Sequence, residues 1–196
     1  MDEAESVART SLERARRVLG EEHALTLSLM NTLATTWQQK GLLEQAAPLA
    51  ERIAELSRRV LGDDHPVTLA YLANLSAVYV ARGEFARAEP LLSEAVEGAR
   101  GAFPTALPVM GKFLKIYGDC LAGLGHHEQA EGVFVEAYEQ LVGSLGPANN
   151  RVVETVKALV ALYEAWGKPN QAAAWRVKYE ATPAHADQAP VAPDRP

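Results

Sequence analysis

The sequence predicts an all-α solenoid of antiparallel helix hairpins, and three observations carry that reading. Glycine recurs at Gly41, Gly83, Gly125 and Gly167, each 42 residues from the next. Alanine follows five residues after each glycine, and once more near the N-terminus, giving Ala4, Ala46, Ala88, Ala130 and Ala172. Leu33, Leu75, Tyr117 and Leu159 form a third column, followed four residues on by Trp37, Tyr79, Leu121 and Tyr163. A spacing of four places two side chains on one face of a helix. A fixed period of this length marks a chain of stacked helix pairs, each burying a face that it cannot bury alone.

The elements follow in order. A lone helix is expected over about residues 2–18. Its Ala4, Val7, Ala8 and Leu12 fall in columns that belong to second helices, with no first helix before them. The chain thus begins inside a repeat, and this apolar edge is expected to pack on another copy or domain, a route to self-association. The first hairpin pairs 24–40 with 43–60. Leu33 and Trp37 stripe its first helix, and Ala46, Leu49, Ile53 and Leu56 stripe its second. Gly41 stands at the reversal, where a positive φ closes the helix. The second hairpin pairs 66–82 with 85–99, with Pro66 suited to the first helical position. His23 and His65 share the column just before a helix and are assigned to the helix start and packing.

The third hairpin pairs 108–124 with 127–143, and Pro108 repeats the Pro66 column. Here the pattern departs from itself. Gly111 stands where the other repeats have Leu27, Leu69 and Val153. The junction Gly98-Ala99-Arg100-Gly101-Ala102-Phe103-Pro104 lacks the Leu-Gly pair seen at Leu19-Gly20, Leu61-Gly62 and Leu145-Gly146. A looser or more bent junction is expected there. The fourth hairpin pairs 150–166 with 169–181, with Asn149 as N-cap and Pro169 in the first turn of the last helix. Residues 1–182 therefore read as one solenoid. Residues 183–196 are rich in Ala and Pro and are expected to be disordered.

Composition excludes several functions. Lys and Arg total 19 against 25 Asp and Glu, a net charge of −6, which argues against nucleic-acid binding. No apolar run is long enough to span a membrane, and the acidic start Met1-Asp2-Glu3 carries no apolar leader, so a cytoplasmic location is expected. The single cysteine, Cys120, forbids an intrachain disulfide. It shares a column with Thr36, Val78 and Leu162 and reads as a small buried residue. His126-His127-Glu128 lies close to it in sequence, but zinc needs four placed ligands and the repeat already accounts for this turn, so no metal is assigned. No carboxylate pair stands out, and no nucleotide or kinase motif is present. No cofactor is implied and the chain is not expected to be an enzyme.

Helix–turn–helix units carrying Leu, an aromatic four residues on, then Gly and then Ala resemble the tetratricopeptide repeat. The 42-residue spacing, with Leu61-Gly62-Asp63-Asp64-His65-Pro66 between units and Ala88-Glu89-Pro90-Leu91 in a second helix, is similar to the longer variant of kinesin light chains and many bacterial proteins. The last unit, Leu162-Tyr163-Glu164-Ala165-Trp166-Gly167-Lys168-Pro169 with Ala172-Ala173-Ala174-Trp175-Arg176, resembles C-terminal regions of bacterial Ser/Thr protein kinases and free-standing repeat proteins. The resemblance covers about residues 2–181. It implies a right-handed α-α superhelix whose first helices line a concave groove.

The function so implied is a non-catalytic protein–protein interaction scaffold that takes a peptide or partner domain in that groove. The alternative is a regulatory or structural segment of a larger bacterial signalling enzyme such as a Ser/Thr kinase. The groove columns supply Ser28, Asn31, Thr32 and Thr35, then Ala70, Ala73, Asn74 and Ala77, then Lys112, Lys115, Ile116 and Asp119, then Glu154, Lys157, Ala158 and Ala161. The candidate binding residues are Asn31, Thr35, Asn74, Lys112, Lys115, Asp119 and Lys157. By the resemblance, Asn31 and Asn74 hold peptide backbone. The three lysines, on an acidic background, suit a partner with a few acidic groups. The carboxylate-clamp pattern of co-chaperones is not met, because Lys115 is followed four residues on by Asp119.

Overall fold

The computed structural model describes residues 3–102 and 107–180, and these residues form nine helices and no strand. They group into two compact units, residues 1–104 and 105–196. The first unit holds α1 (Glu3–Leu19), α2 (Ala24–Gln39), α3 (Leu43–Leu61), α4 (Pro66–Ala81) and α5 (Phe85–Ala102). The second holds α6 (Leu107–Gly123), α7 (His127–Leu145), α8 (Asn150–Ala165) and α9 (Pro169–Glu180). The hairpins are α2/α3 and α4/α5 in the first unit, and α6/α7 and α8/α9 in the second, as the period predicts.

The hairpin turns explain the glycine column. Gly41 has φ +73°, the left-handed region where a side chain is strained. Its N–H donates to the Gln38 carbonyl (3.0 Å), and the Leu42 N–H donates to the Trp37 carbonyl (2.8 Å). These two bonds satisfy carbonyls that the end of α2 would otherwise leave without partners. The same pair recurs at Gly83, Gly125 and Gly167, and the farther acceptor is always the column of Trp37, Tyr79, Leu121 and Tyr163. One residue per repeat therefore anchors both the core and the turn.

The helix starts are equally regular. His23, His65 and Asn149 have extended backbone and act as N-caps. The Nδ1 atoms of His23 and His65 accept from the N–H of Leu25 (3.2 Å) and Val67 (3.1 Å), and Asn149 Oδ1 accepts from Arg151 (3.0 Å). The two histidines thus do the work usually given to Ser, Thr, Asn or Asp.

Ala46, Ala88, Ala130 and Ala172 are fully buried, and they are small where helices pack closely. Leu33, Leu75 and Leu159 are buried with Trp37, Tyr79, Leu121 and Tyr163. Each such side chain stabilises by roughly 1.5–3 kcal/mol relative to exposure. Cys120 is buried, in the column predicted for it.

Gly111 does not loosen its own hairpin. It is buried, and a Cβ built there would lie 2.5 Å from Leu141 of α7. Gly118 likewise makes room for Phe134, whose ring would be 2.5 Å from a Cβ. The missing side chains on α6 are filled by large ones on α7. On the near side of the unusual junction, α5 runs on to Ala102, past the expected end at 99, with Gly98 accommodating Leu69. Residues 103–106 of that junction, and the tail 183–196, lie outside the described residues.

At the N-terminal edge, Val7 and Val18 are exposed. Between them, Ser11 and Arg14 take the register positions at which α3 buries Ile53 and Leu56. Leu19 and Leu25 are exposed beside them, so the edge carries both apolar and polar side chains.

Candidate peptide-binding faces

In the first unit, α2 and α4 pack side by side and bring Asn31 and Asn74 together. Asn74 Nδ2 donates to Asn31 Oδ1 at 3.0 Å, and both residues are half-buried. Thr35, Gln38 and Tyr71 line the same crevice. Burial pushes the Tyr71 phenol above its ordinary pKa, so it remains protonated and neutral. Thr32 and Thr36 turn their hydroxyls back onto the helix, donating to the carbonyls of Ser28 (3.0 Å) and Thr32 (2.8 Å). This face is amide-rich and uncharged. The Asn31–Asn74 pair presents the donor and acceptor chemistry that an extended peptide backbone can use.

The second unit is different, and it divides the predicted lysines. Lys115 Nζ donates to Asp119 Oδ2 at 2.6 Å, an i,i+4 ion pair on α6. Asp119 has its pKa raised, chiefly by burial, with Glu154 acting in the same direction and Lys115 opposing it. Lys112, although its side chain is exposed, has its pKa lowered by burial around the ammonium and then by repulsion from Arg151. Lys157 lines a cleft of about 310 Å³ with Val160, Ala161, Glu164, Arg176 and Glu180, where Arg176 pairs with Glu164. The three lysines therefore have three separate environments: one beside an arginine, one held by an aspartate, and one in a mixed-charge cleft toward α9.

Arg151 escapes the sequence reading because it sits one turn N-terminal to the assigned groove columns of α8. Extending those columns by a turn would have found it, since Arg151 and Glu154 are i and i+3 on one face.

A set of aromatic–carboxylate latches is also invisible in the columns. Trp37 Nε1 donates to Glu5 Oε1 (3.1 Å) and Lys40 Nζ to Glu5 Oε2 (3.0 Å), with Arg9 completing the cluster. These bonds, Trp37 foremost and Lys40 next, hold the Glu5 carboxyl down at about 2. Tyr79 OH donates to Glu51 (2.7 Å) and Tyr163 OH to Glu131 (2.6 Å). Burial first, then the neighbouring carboxylate, pushes both phenols up to about 12. Each latch joins a first helix to the second helix before it.

Among the described residues no group of three or more His, Cys, Asp or Glu could hold a metal, and no helix is long and apolar enough to cross a membrane.

These are the features of a repeat protein built from stacked helix pairs. Residues 38–101 match the tetratricopeptide-repeat family model, so this stretch carries tetratricopeptide repeats. Its fold is that of the kinesin-light-chain-like repeats. Two structures of a Podosopora anserina protein, described as a kinesin light chain of nearly identical TPR-like repeats, align over 95% of this chain. One, a point variant, gives a TM-score of 0.77 at 19% identity over 88% of its own length, and the other gives 0.75 at 20% over 89%. BtubC (BKLC) from P. vanneervenii aligns over 98% of this chain and 94% of its own, with a TM-score of 0.58 at 18% identity. No curated protein matches the chain. Tetratricopeptide repeats generally serve protein–protein interaction, and their fold is generally non-catalytic.

Proposed function

We propose that the protein is a non-catalytic scaffold that binds an extended peptide segment of a protein partner along the exposed face of its first helices. The observation that supports this reading best is the Asn31–Asn74 amide pair, held across α2 and α4 in an uncharged crevice. Amides that bridge neighbouring repeats offer bonds to a peptide main chain whatever its side chains, and flanking side chains then set preference. Thr35 lines the same crevice and borders the contact.

The test is to pan a displayed peptide library against the whole chain and against an Asn31→Ala, Asn74→Ala double variant. Enriched peptides should bind the wild type saturably and lose most of their affinity for the variant. Peptides that bind both proteins equally, with the variant normally folded by circular dichroism, would overturn the reading.

A further inference from the structure

Two helices of the first unit start on a histidine. Nδ1 of His23 lies 3.2 Å from the backbone nitrogen of Leu25, and Nδ1 of His65 lies 3.1 Å from that of Val67. A backbone N–H can only donate, so each Nδ1 is the acceptor and the ring proton is on Nε2. These caps exist only on the neutral imidazole. Asn149, in the same column, caps α8 through an amide oxygen that does not take up a proton in this range.

A proton on Nδ1 turns the acceptor into a donor facing the N–H of Leu25 or Val67. It also puts a cation at the positive end of a helix, where the dipole disfavours it. The first turns of α2 and α4 contain no acidic residue to offset that charge. His23 is exposed and His65 half-buried, so solvent protons reach both rings.

The charged groups at each helix start are close to balance. Beside His23, Glu21 pairs with Arg16 of α1 and Arg52 of α3, and Glu22 pairs with Arg59 of α3. Beside His65, Asp63 pairs with Arg58 of α3, which also holds Glu94 of α5. Asp64 and, in the last turn of α5, Arg100 add one charge of each sign. Arginines thus answer the acids, and the lost bond and the helix dipole decide the outcome.

We propose that His23 and His65 form a proton-sensitive device: acidification from about pH 7.5 to about pH 5 releases the starts of α2 and α4 and leaves the start of α8 intact. The unfolded chain takes up these two protons more readily than the folded chain, so stability falls as pH falls through that range. The device acts on the helices that carry Asn31 and Asn74, and it does not depend on a ligand.

The experiment uses the full chain as wild type and as two double variants, His23→Asn with His65→Asn and His23→Ala with His65→Ala. At pH 7.5 the wild type and the Asn variant should melt within about 2 °C of each other, with the Ala variant about 4 °C or more below both. At pH 5 the wild type should have fallen to the Ala variant or below it, leaving the Asn variant about 4 °C or more above it. Amide NMR reads the same event locally. The Leu25 and Val67 amides should titrate over this range in the wild type and stay in place in the Asn variant, and Arg151 should stay in place in both.

A wild type that keeps its advantage over the Ala variant at pH 5, or that falls in parallel with the Asn variant, would overturn the proposal. Leu25 and Val67 amides that do not move, or an Arg151 amide that moves as far as they do, would overturn it as well.

Discussion

The first two hairpins and the third solve one packing problem in opposite ways. In α2/α3 and α4/α5 the bulk is on the first helix: Leu27 and Leu69 are buried, and the register positions of the second helix hold Ser57 and Ala99. In α6/α7 the first helix has Gly111 and the second has Leu141 at those same positions. Gly118 facing Phe134 is not such an exchange: the second repeat already sets a small Ser76 against a large Leu92, and the third carries that same sense further. What the repeat conserves is the filled volume between its helices, because protein interiors are close-packed and a void or an overlap is felt at once. A single column read by itself suggested looseness at Gly111; the paired columns show an exchange of partners.

The largest expected effect comes from forcing the third hairpin into the arrangement of the first two. Gly111→Leu should destabilise by about 3 kcal/mol, since the new side chain overlaps Leu141. Leu141→Ala alone should cost about 2–5 kcal/mol through its cavity. The double variant restores the arrangement of the first two hairpins and should recover more than half of the summed loss, because the two sites share one volume. Additive losses in denaturant titrations would show that the exchange is not what holds α6 on α7.

The next test compares the latches. Glu5 has a folded pKa of about 2 against an ordinary value of 4.5. A depressed carboxylate stabilises the fold above its unfolded pKa, and that contribution is lost as pH falls toward the folded value. Wild type should therefore exceed Glu5→Gln in melting temperature at neutral pH. The gap should close between about pH 4.5 and pH 2. A gap independent of pH would mean that Glu5 acts by packing and not by charge.

Turn glycines should matter less. A Cβ at Gly41 meets nothing within 4 Å, so Gly41→Val costs only backbone strain at φ +73°, on the order of 1–2 kcal/mol. Gly41→Asn should cost less, since Asn tolerates that region better. Equal losses for Val and Asn would point to a clash instead of strain.

The smallest effect separates the two kinds of helix cap. His65→Ala should cost about 1 kcal/mol, and His65→Asn, which copies the Asn149 cap, should change stability by only a few tenths. If Asn is as harmful as Ala, the histidine ring is needed for packing beyond its Nδ1 bond to Val67.

Most of the fold was legible because its signals are local and repeated. The glycine column marked every hairpin turn, and Leu33 with Trp37 and their counterparts marked the buried face. Apart from α5, helix bounds fell within two residues of expectation. The candidate face was legible in part. The register that set Asn31 and Asn74 on neighbouring first helices is matched by a hydrogen bond between their amides. The same register grouped Lys112, Lys115 and Lys157, and the molecule separates them. Side-chain reach, not Cα register, decides whether Lys115 turns to Asp119 or toward a ligand.

The sequence by itself determined the helices, their order, their turns and the buried columns, since these follow from a 3.6-residue periodicity and from the backbone freedom of one glycine per repeat. Tertiary structure alone decided which large residue fills which gap and which carboxylate answers which aromatic. Those outcomes depend on distances between side chains about 30 residues apart in the chain, as in Trp37 with Glu5 or Tyr163 with Glu131. No local pattern encodes such a distance until the helices have packed.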